Sequence, residues 1–444
     1  MNILPKALKM LEKHPLCDHC LGRQFALLGH RMENHERGKA IKIILTLEAH
    51  TLALSENKEG IRTLKILATS GFFETAKEIL HKMKKRIPRK RLPKTCLLCE
   101  DKFKVVAELA EKALDKLKDY EYSSFLVGIQ LPVVVEERED EFKAEFEVCY
   151  GENMRNEFGR IIGKKIAEHN GKTVEYKKPE VVVLVDPLTE EVRLQVNPLY
   201  VAGRYRKLVR GIPQSKWLCS DCRGKGCEKC NWTGKTYPES VEEIIEQPFL
   251  EATDGVKASF HASGREDIDA RMLGNGRPFV IETTKPRKRF LDLKKLEKAV
   301  NAYAKGKVKV SNLCFANRDV VRKLKKAESS QKGYRVIMKF ENKITAGNLR
   351  LLEDKLRNTV IKQRTPTRVL HRRANLTREK YIYEVKVKKL SPKKAEMRIR
   401  CQGGLYVKEL VTADDGRTKP SVSEILKNKA EPIELDVLNV FMKS

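Results

Sequence analysis

No apolar run in this sequence exceeds the five residues from Val181 to Val185. A membrane-spanning helix needs about 20, so no membrane partner is expected. The opening stretch MNILPKALKMLEKHPLC is too charged, and its apolar runs too short, for a secretory leader. The expected location is therefore cytoplasmic. Neither an ATP-pyrophosphatase loop, an adenosylmethionine loop nor a Walker A sequence is present. Their lack argues against thiolation and methyl transfer. No His-x-Glu precedes Cys96 or Cys219, and too little chain precedes Cys17, so the zinc-deaminase pattern is excluded. Internal repeats and low-complexity tracts are also missing. Acidic residues fall short of basic ones: 60 Asp and Glu face 90 Lys and Arg, leaving a net charge of +30.

A field of that sign attracts polyanions and speeds their encounter, so nucleic acid is the first candidate partner. A basic but merely solvated surface is the plainer alternative. The abundance of Lys, Glu and Arg suits a protein from a hot-living organism. The 444 residues, 41% of them hydrophobic, are enough for two or three domains with real cores.

The first hundred residues read as helical, with apolar residues at helical spacing over 41–54 and 61–83. A basic run, His81 to Lys94, is a linker or an RNA-contacting loop, with Pro88 and Pro93 breaking any helix. From about Phe103 to Trp217 helices and strands alternate. Strands are expected over 122–135, 179–186 and 192–196, and an amphipathic helix over 156–170. The stretch from Pro198 to Tyr205 is aromatic and basic, as suits RNA. After Cys230 strand signals dominate, at 256–262, 334–340, 381–387 and 396–401, with a Ser391-Pro392 turn between the last two. Helices are expected over 291–305 and 421–429. This half reads as α+β with a mainly antiparallel sheet.

Eight of the 11 cysteines fall in CxxC pairs. In a reducing compartment such pairs more often bind metal than form disulfides. Cys219-x-x-Cys222 and Cys227-x-x-Cys230 close on each other through Arg223-Gly224-Lys225-Gly226. Four thiolates so placed surround one Zn²⁺ at about 2.3 Å, and a closed shell makes the ion structural. Cys17/Cys20 and Cys96/Cys99 are distant in sequence, but a helical hairpin returns the chain to its start and would unite them. His19, inside the first pair, is then a bystander. Lys216, Arg223, Lys225 and Lys229 around the later knot are placed to touch phosphate.

The segment Ala262-Ser263-Gly264-Arg265-Glu266-Asp267-Ile268-Asp269-Ala270-Arg271 leaves a strand through a glycine and is dense in opposed charges. A carboxylate beside arginines is held ionised, as a nucleophile or base must be. The same pattern also serves as a plain surface ion-pair network. Gly264-Arg265-x-Asp267 resembles the catalytic motif of pseudouridine synthases. Lys332-Gly333-Tyr334-Arg335-Val336 resembles the strand that sets an aromatic residue against the target base. Gly403-Gly404-Leu405-Tyr406-Val407-Lys408 resembles the late motif whose basic residue pairs with the catalytic Asp. With Gly274 to Phe279, Gln363 to Pro366, Arg368 to Arg373, Asp415 to Ser421 and the Cys17 to Arg23 start, the chain is similar over most of its length to the archaeal and eukaryotic tRNA pseudouridine synthase of the TΨC arm. The Cys219 to Cys230 knot resembles the archaeal form.

The resemblance implies a helical segment with a Cys-pair zinc site (1–102), a THUMP-like RNA-binding α/β domain (103–217), a Cys₄ knot (218–235) and a pseudouridine synthase catalytic domain (236–444). It implies tRNA as partner, with no protein partner, and structural zinc without an organic cofactor. It implies Asp267 as nucleophile, kept ionised by Lys408. Arg265 would fill the space a flipped base vacates. Tyr334 would stack on that base, Leu405 and Tyr406 would wall the pocket, and Arg372 and Arg373 would bind substrate. Asp269 is expected to pair with Arg271 or another base and shape the loop. The competing expectation is a non-catalytic, zinc-containing tRNA-binding protein.

Overall fold

The computed structural model describes residues 2–87, 94–326 and 331–441. They form two compact units, Met1–Asn197 and Pro198–Ser444. Residues 88–93 of the expected basic run lie outside the described set.

The first unit opens with helices Ile3–Lys13, Asn34–Leu54, Lys58–Thr69 and Glu74–Lys82. The stretch 61–83 is divided at Gly71, where a Cβ would fall 2.5 Å from the Leu67 carbonyl, and at Phe72, which takes a φ of 50°. A four-stranded sheet follows, in the order Thr173–Val174, Ser124–Ile129, Val181–Asp186, Glu191–Val196. The first two pairings are parallel and the last antiparallel. Helices Val106–Leu117 and Met154–Asn170 pack on it. The expected strand over 122–135 stops at Ile129. Pro132 cannot continue a ladder, and Val135, Glu139 and Phe142 are buried on one face of a Val133–Glu145 helix. One hydrophobic core runs from Ala7 to Val196, so the helical segment and the α/β module share it rather than parting at residue 102.

The second unit is a ten-stranded sheet. Its main path runs Thr418–Lys419, Thr359–Arg364, Thr377–Ser391, Lys394–Gln402, Gln331–Phe340, Ala430–Val440, Arg271–Thr284, Leu199–Lys207, Val308–Ala316. Every pairing is antiparallel except that of Ala430–Val440 with Arg271–Thr284. The strand Leu199–Lys207 pairs on both sides within this sheet. Residues 198–217 thus belong with the second unit, not with the module before it. The stretch expected to face RNA is also turned to internal use. Tyr205 and Lys207 are buried, Tyr200 donates to Glu282, and Arg204 donates to the carbonyls of Asn275, Gly276 and Val440. A long amphipathic strand looks the same in sequence whichever face its cations take.

Helices Val241–Thr253 and Leu293–Tyr303 bury one core cluster against the sheet, and Ala346–Leu356, Val407–Thr412 and Val422–Leu426 border a second. Tyr334 touches both clusters. Lys257–Ala262 and Ala430–Val440 share one edge of Arg271–Thr284, since Leu199–Lys207 occupies the other. The first pairs with residues 279–284 and the second with Arg271 and Met272. The sheet splits between them, and residues 263–270 cross the split. No described helix is long and apolar enough to cross a membrane.

Candidate active site

A loop across a split sheet has no ladder to satisfy its backbone, and buried carbonyls left unpaired are costly. Here side chains take over. The carbonyl of Ser263 accepts from Arg277 and that of Gly264 from Gln214. Lys207 Nζ donates to the carbonyls of Asp267 and Ile268, each at 3.1 Å, and to Ile212 at 2.9 Å. Arg210 donates to the Asp269 carbonyl at 2.7 Å. Gly264 takes a φ of 72°, and a Cβ there would meet Lys332 Nζ and Arg277 Nη1. Beneath the loop Glu266 is buried, paired with Arg277 Nε at 2.9 Å and accepting from Tyr205 Oη. Burial pushes the Tyr205 phenol well up, and the Glu266 charge adds to the effect. Burial likewise pushes the Lys207 ammonium down, opposed by the carboxylates of Glu266, Asp269 and Asp267.

With Glu266 turned inward, its neighbour Asp267 turns outward and is part-exposed. Asp267 Oδ2 lies 3.3 Å from Arg368 Nη2 and 3.4 Å from Lys408 Nζ. Lys408 lies closer to Asp269, at 2.8 and 2.7 Å from its two oxygens. Lys408 therefore reaches both aspartates and grips the second. Burial opposes ionising Asp269, but Lys408 outweighs it and holds that carboxyl below the usual range. Arg271 does not pair with Asp269. Its register partner is Asp436, which it meets at 2.9 Å, and buried Asp436 also takes Arg210 and Arg335.

Tyr334 sits at the seam of the two core clusters. Burial pushes its phenol up, with the nearby Cys401 next in effect, so it stays neutral. Arg265 is exposed and makes no ion pair among the described residues. Leu405 is buried. The Tyr406 backbone is clamped by the Gln363 amide, and its hydroxyl accepts from exposed Arg373 at 3.1 Å. The Arg372 side chain lies outside the described residues. The loop thus brings together Asp267, Asp269, Lys408 and Arg368. Sequence reasoning missed Arg368 as a partner, and it missed Lys207, Gln214, Glu266 and Arg277 as the loop's support.

Residues 200–441 match the family model described as "Pus10, C-terminal". The chain belongs to the Pus10 family of tRNA pseudouridine synthases. Residues 109–186 match "Pus10 THUMP domain, archaeal", in agreement with the expected THUMP-like module. The tRNA pseudouridine synthase Pus10 of Methanocaldococcus jannaschii is 46% identical, covering 97% of this chain and 93% of the relative. That of Methanothrix thermoacetophila is 40% identical over 99% and 94%, and that of Pyrococcus furiosus 39% over 99% and 98%. Among solved structures, a chain of a Cbf5-Nop10-Gar1 complex aligns over 46% of each chain at 13% identity, with a TM-score of 0.30.

Two tetracysteine clusters accompany this Pus10 chain: Cys17, Cys20, Cys96 and Cys99, and Cys219, Cys222, Cys227 and Cys230. In each, the sulfurs lie within 4.8 Å of one another. Four sulfurs tetrahedral about an ion at about 2.3 Å are about 3.8 Å apart. The Cys17–Cys99 separation is 3.6 Å, and three pairs of the later knot measure 3.7 to 3.8 Å. The residues fit a four-coordinate ion. Backbone amides of Gly226, Cys227 and Gly234 donate to the knot's sulfurs, as would stabilise thiolates. Around the first cluster packing is extreme. Cβ atoms on Gly22 and Gly38 would fall 1.8 and 2.0 Å from the carbonyls of Asn34 and Asp18. Buried Arg23 donates to Cys20 Sγ at 2.9 Å and also pairs with Glu139. His19 turns away to Glu157 and stacks on Phe103.

Proposed function

We propose that this enzyme isomerises uridine in the TΨC loop of tRNA, at position 55 and also at position 54. The supporting observation is Asp267, held outward on a braced loop at the split of the sheet. Two cations lie beside one of its oxygens, and the seam residue Tyr334 lies near enough for its phenol to feel the Asp267 charge. Pseudouridylation breaks the N1–C1′ bond and joins the same uracil through C5. A proton leaves C5 and one ends on N1, so no organic cofactor enters the balance.

The target uridine leaves its stack at a cost of a few kcal/mol. Exposed Arg265 occupies the vacated space. Tyr334 stacks on the uracil, with Leu405 and Tyr406 as the pocket wall. Asp267 acts on the ribose, attacking C1′ or taking a sugar proton. Arg372 and Arg373 meet phosphate. The THUMP module adds further tRNA contacts, mostly to phosphate and shape, so affinity falls steeply with salt. We assign zinc to both tetracysteine clusters as closed structural sites, and a cytoplasmic location to the enzyme. Incubating purified protein with unmodified tRNA, without cofactor, and mapping pseudouridine by position tests this reading. Product in the TΨC loop supports it. Tight binding without product would favour a non-catalytic tRNA-binding protein.

A further inference from the structure

The charged groups around Asp267 form one alternating chain, Asp269–Lys408–Asp267–Arg368–Glu409. The outer links are short. Lys408 Nζ is 2.7 Å from Asp269, and Arg368 Nε is 2.7 Å from Glu409 Oε1. The inner links, both to Asp267 Oδ2, are 3.3 and 3.4 Å. Glu409 is buried at 5% exposure, and its second oxygen is buried with no partner. That is a high cost for one hydrogen bond to an arginine. Asp267 Oδ1 makes no hydrogen bond or ion pair among the described residues.

We propose that Arg368, Glu409 and Asp269 are positioning residues for Asp267, and that the two outer carboxylates set the distance of the two cations from it. A lone lysine or arginine beside a part-exposed carboxylate closes to a tight charge-assisted pair at about 2.7–2.9 Å and covers the group it should activate. Here each cation is anchored from behind. Asp267 has a cation on either side, yet neither closes on it. Both address Oδ2, so Oδ1 is the oxygen presented to the nucleotide. Lys408 keeps the part already given to it. The chain adds a second cation and explains why a buried carboxylate follows Lys408 directly in sequence. Glu409 acts only through Arg368, and Asp269 only through Lys408.

This inference rests on Asp267 being the catalytic carboxylate, so Asp267→Asn is measured beside it. The test is a set of double-mutant cycles on the full-length protein. The readouts are the single-turnover rate at saturating tRNA, tRNA affinity and thermal unfolding. Arg368→Gln is expected to slow the rate about 100-fold, and Glu409→Gln about 10-fold, with affinity changed less than about threefold. The double variant should be no slower than Arg368→Gln alone, and Lys408→Gln with Asp269→Asn no slower than Lys408→Gln. Glu409→Gln with Asp269→Asn should instead multiply. Arg368→Lys should recover most of the rate, and guanidinium should partly rescue Arg368→Ala. If Glu409→Gln fails to fold, the Arg368 variants, with a part-exposed side chain, decide alone. A wild-type rate for Arg368→Gln, or multiplicative losses within a cation–anchor pair, overturns the proposal. An active Asp267→Asn enzyme overturns the choice of nucleophile instead.

Discussion

Replacing Lys207 with Met removes a buried brace of the loop that carries Asp267 and changes no exposed side chain. The lysine is 0% exposed, and its ammonium serves three carbonyls at 2.9 to 3.1 Å. Hydrogen bonds from a charged donor contribute about 1.5–3 kcal/mol each, so three give an upper bound near 5–9 kcal/mol. Methionine keeps the apolar stem and removes the several-kcal/mol cost of burying an ammonium. The net loss should be about 2–4 kcal/mol, or about 5–15 °C in Tm for a unit of this size. Catalysis should suffer more. Two of the freed carbonyls belong to Asp267 and Ile268, and a shift of about 1 Å at a reacting group costs on the order of 100-fold. Single-turnover pseudouridine formation, measured well below the variant's Tm, should fall 10- to 100-fold with tRNA affinity unchanged. A folded variant turning over at the wild-type rate would refute the bracing argument.

Other outcomes follow from other parts of the molecule. Elemental analysis should find about two zinc ions per chain, and Cys219→Ser should lose one; protein purified without chelator and free of zinc would contradict the assignment. Glu246 is pushed up to about 7, first by burial and then by the charge of Glu242. The folded state therefore binds an extra proton between the ordinary carboxylate range and about 7, and stability from this group is lost as pH rises through that window. Glu246→Gln should match wild type near pH 4 and unfold at higher denaturant than wild type at pH 8; equal midpoints at pH 8 would argue against it. Arg265→Ala should lower the rate on tRNA with little effect on folding, since its side chain is exposed and makes no ion pair among the described residues. Unchanged kinetics would remove it from the base-flipping step.

The motifs were legible because their information is local. CxxC spacing fixes two sulfurs whatever the rest of the chain does, and both tetracysteine sets form, including the one whose two pairs have 75 residues between them. The loop after the Lys257–Ala262 strand was legible for the same reason. Its supports were not. Tyr205 reads as part of an aromatic and basic stretch suited to RNA, and only the fold, which pairs Leu199–Lys207 on both sides, shows that Tyr205 and Lys207 are buried. The unit boundary moved from 217 to 197 for that reason. The partner of Asp269 was also out of reach. Arg271 is two residues away in sequence, but strand register hands it to Asp436, more than 160 residues on, and leaves Asp269 to Lys408.

Asp267 is the residue proposed to carry the chemistry. Asp267→Asn keeps the size of the side chain and removes its charge. Pseudouridine yield in unmodified tRNA, measured with tRNA affinity for this variant and for Asp269→Asn, tests the claim directly. No product and near wild-type binding are expected for Asp267→Asn, with partial activity for Asp269→Asn. An active Asp267→Asn enzyme beside a folded, tRNA-binding but inactive Asp269→Asn enzyme would contradict it.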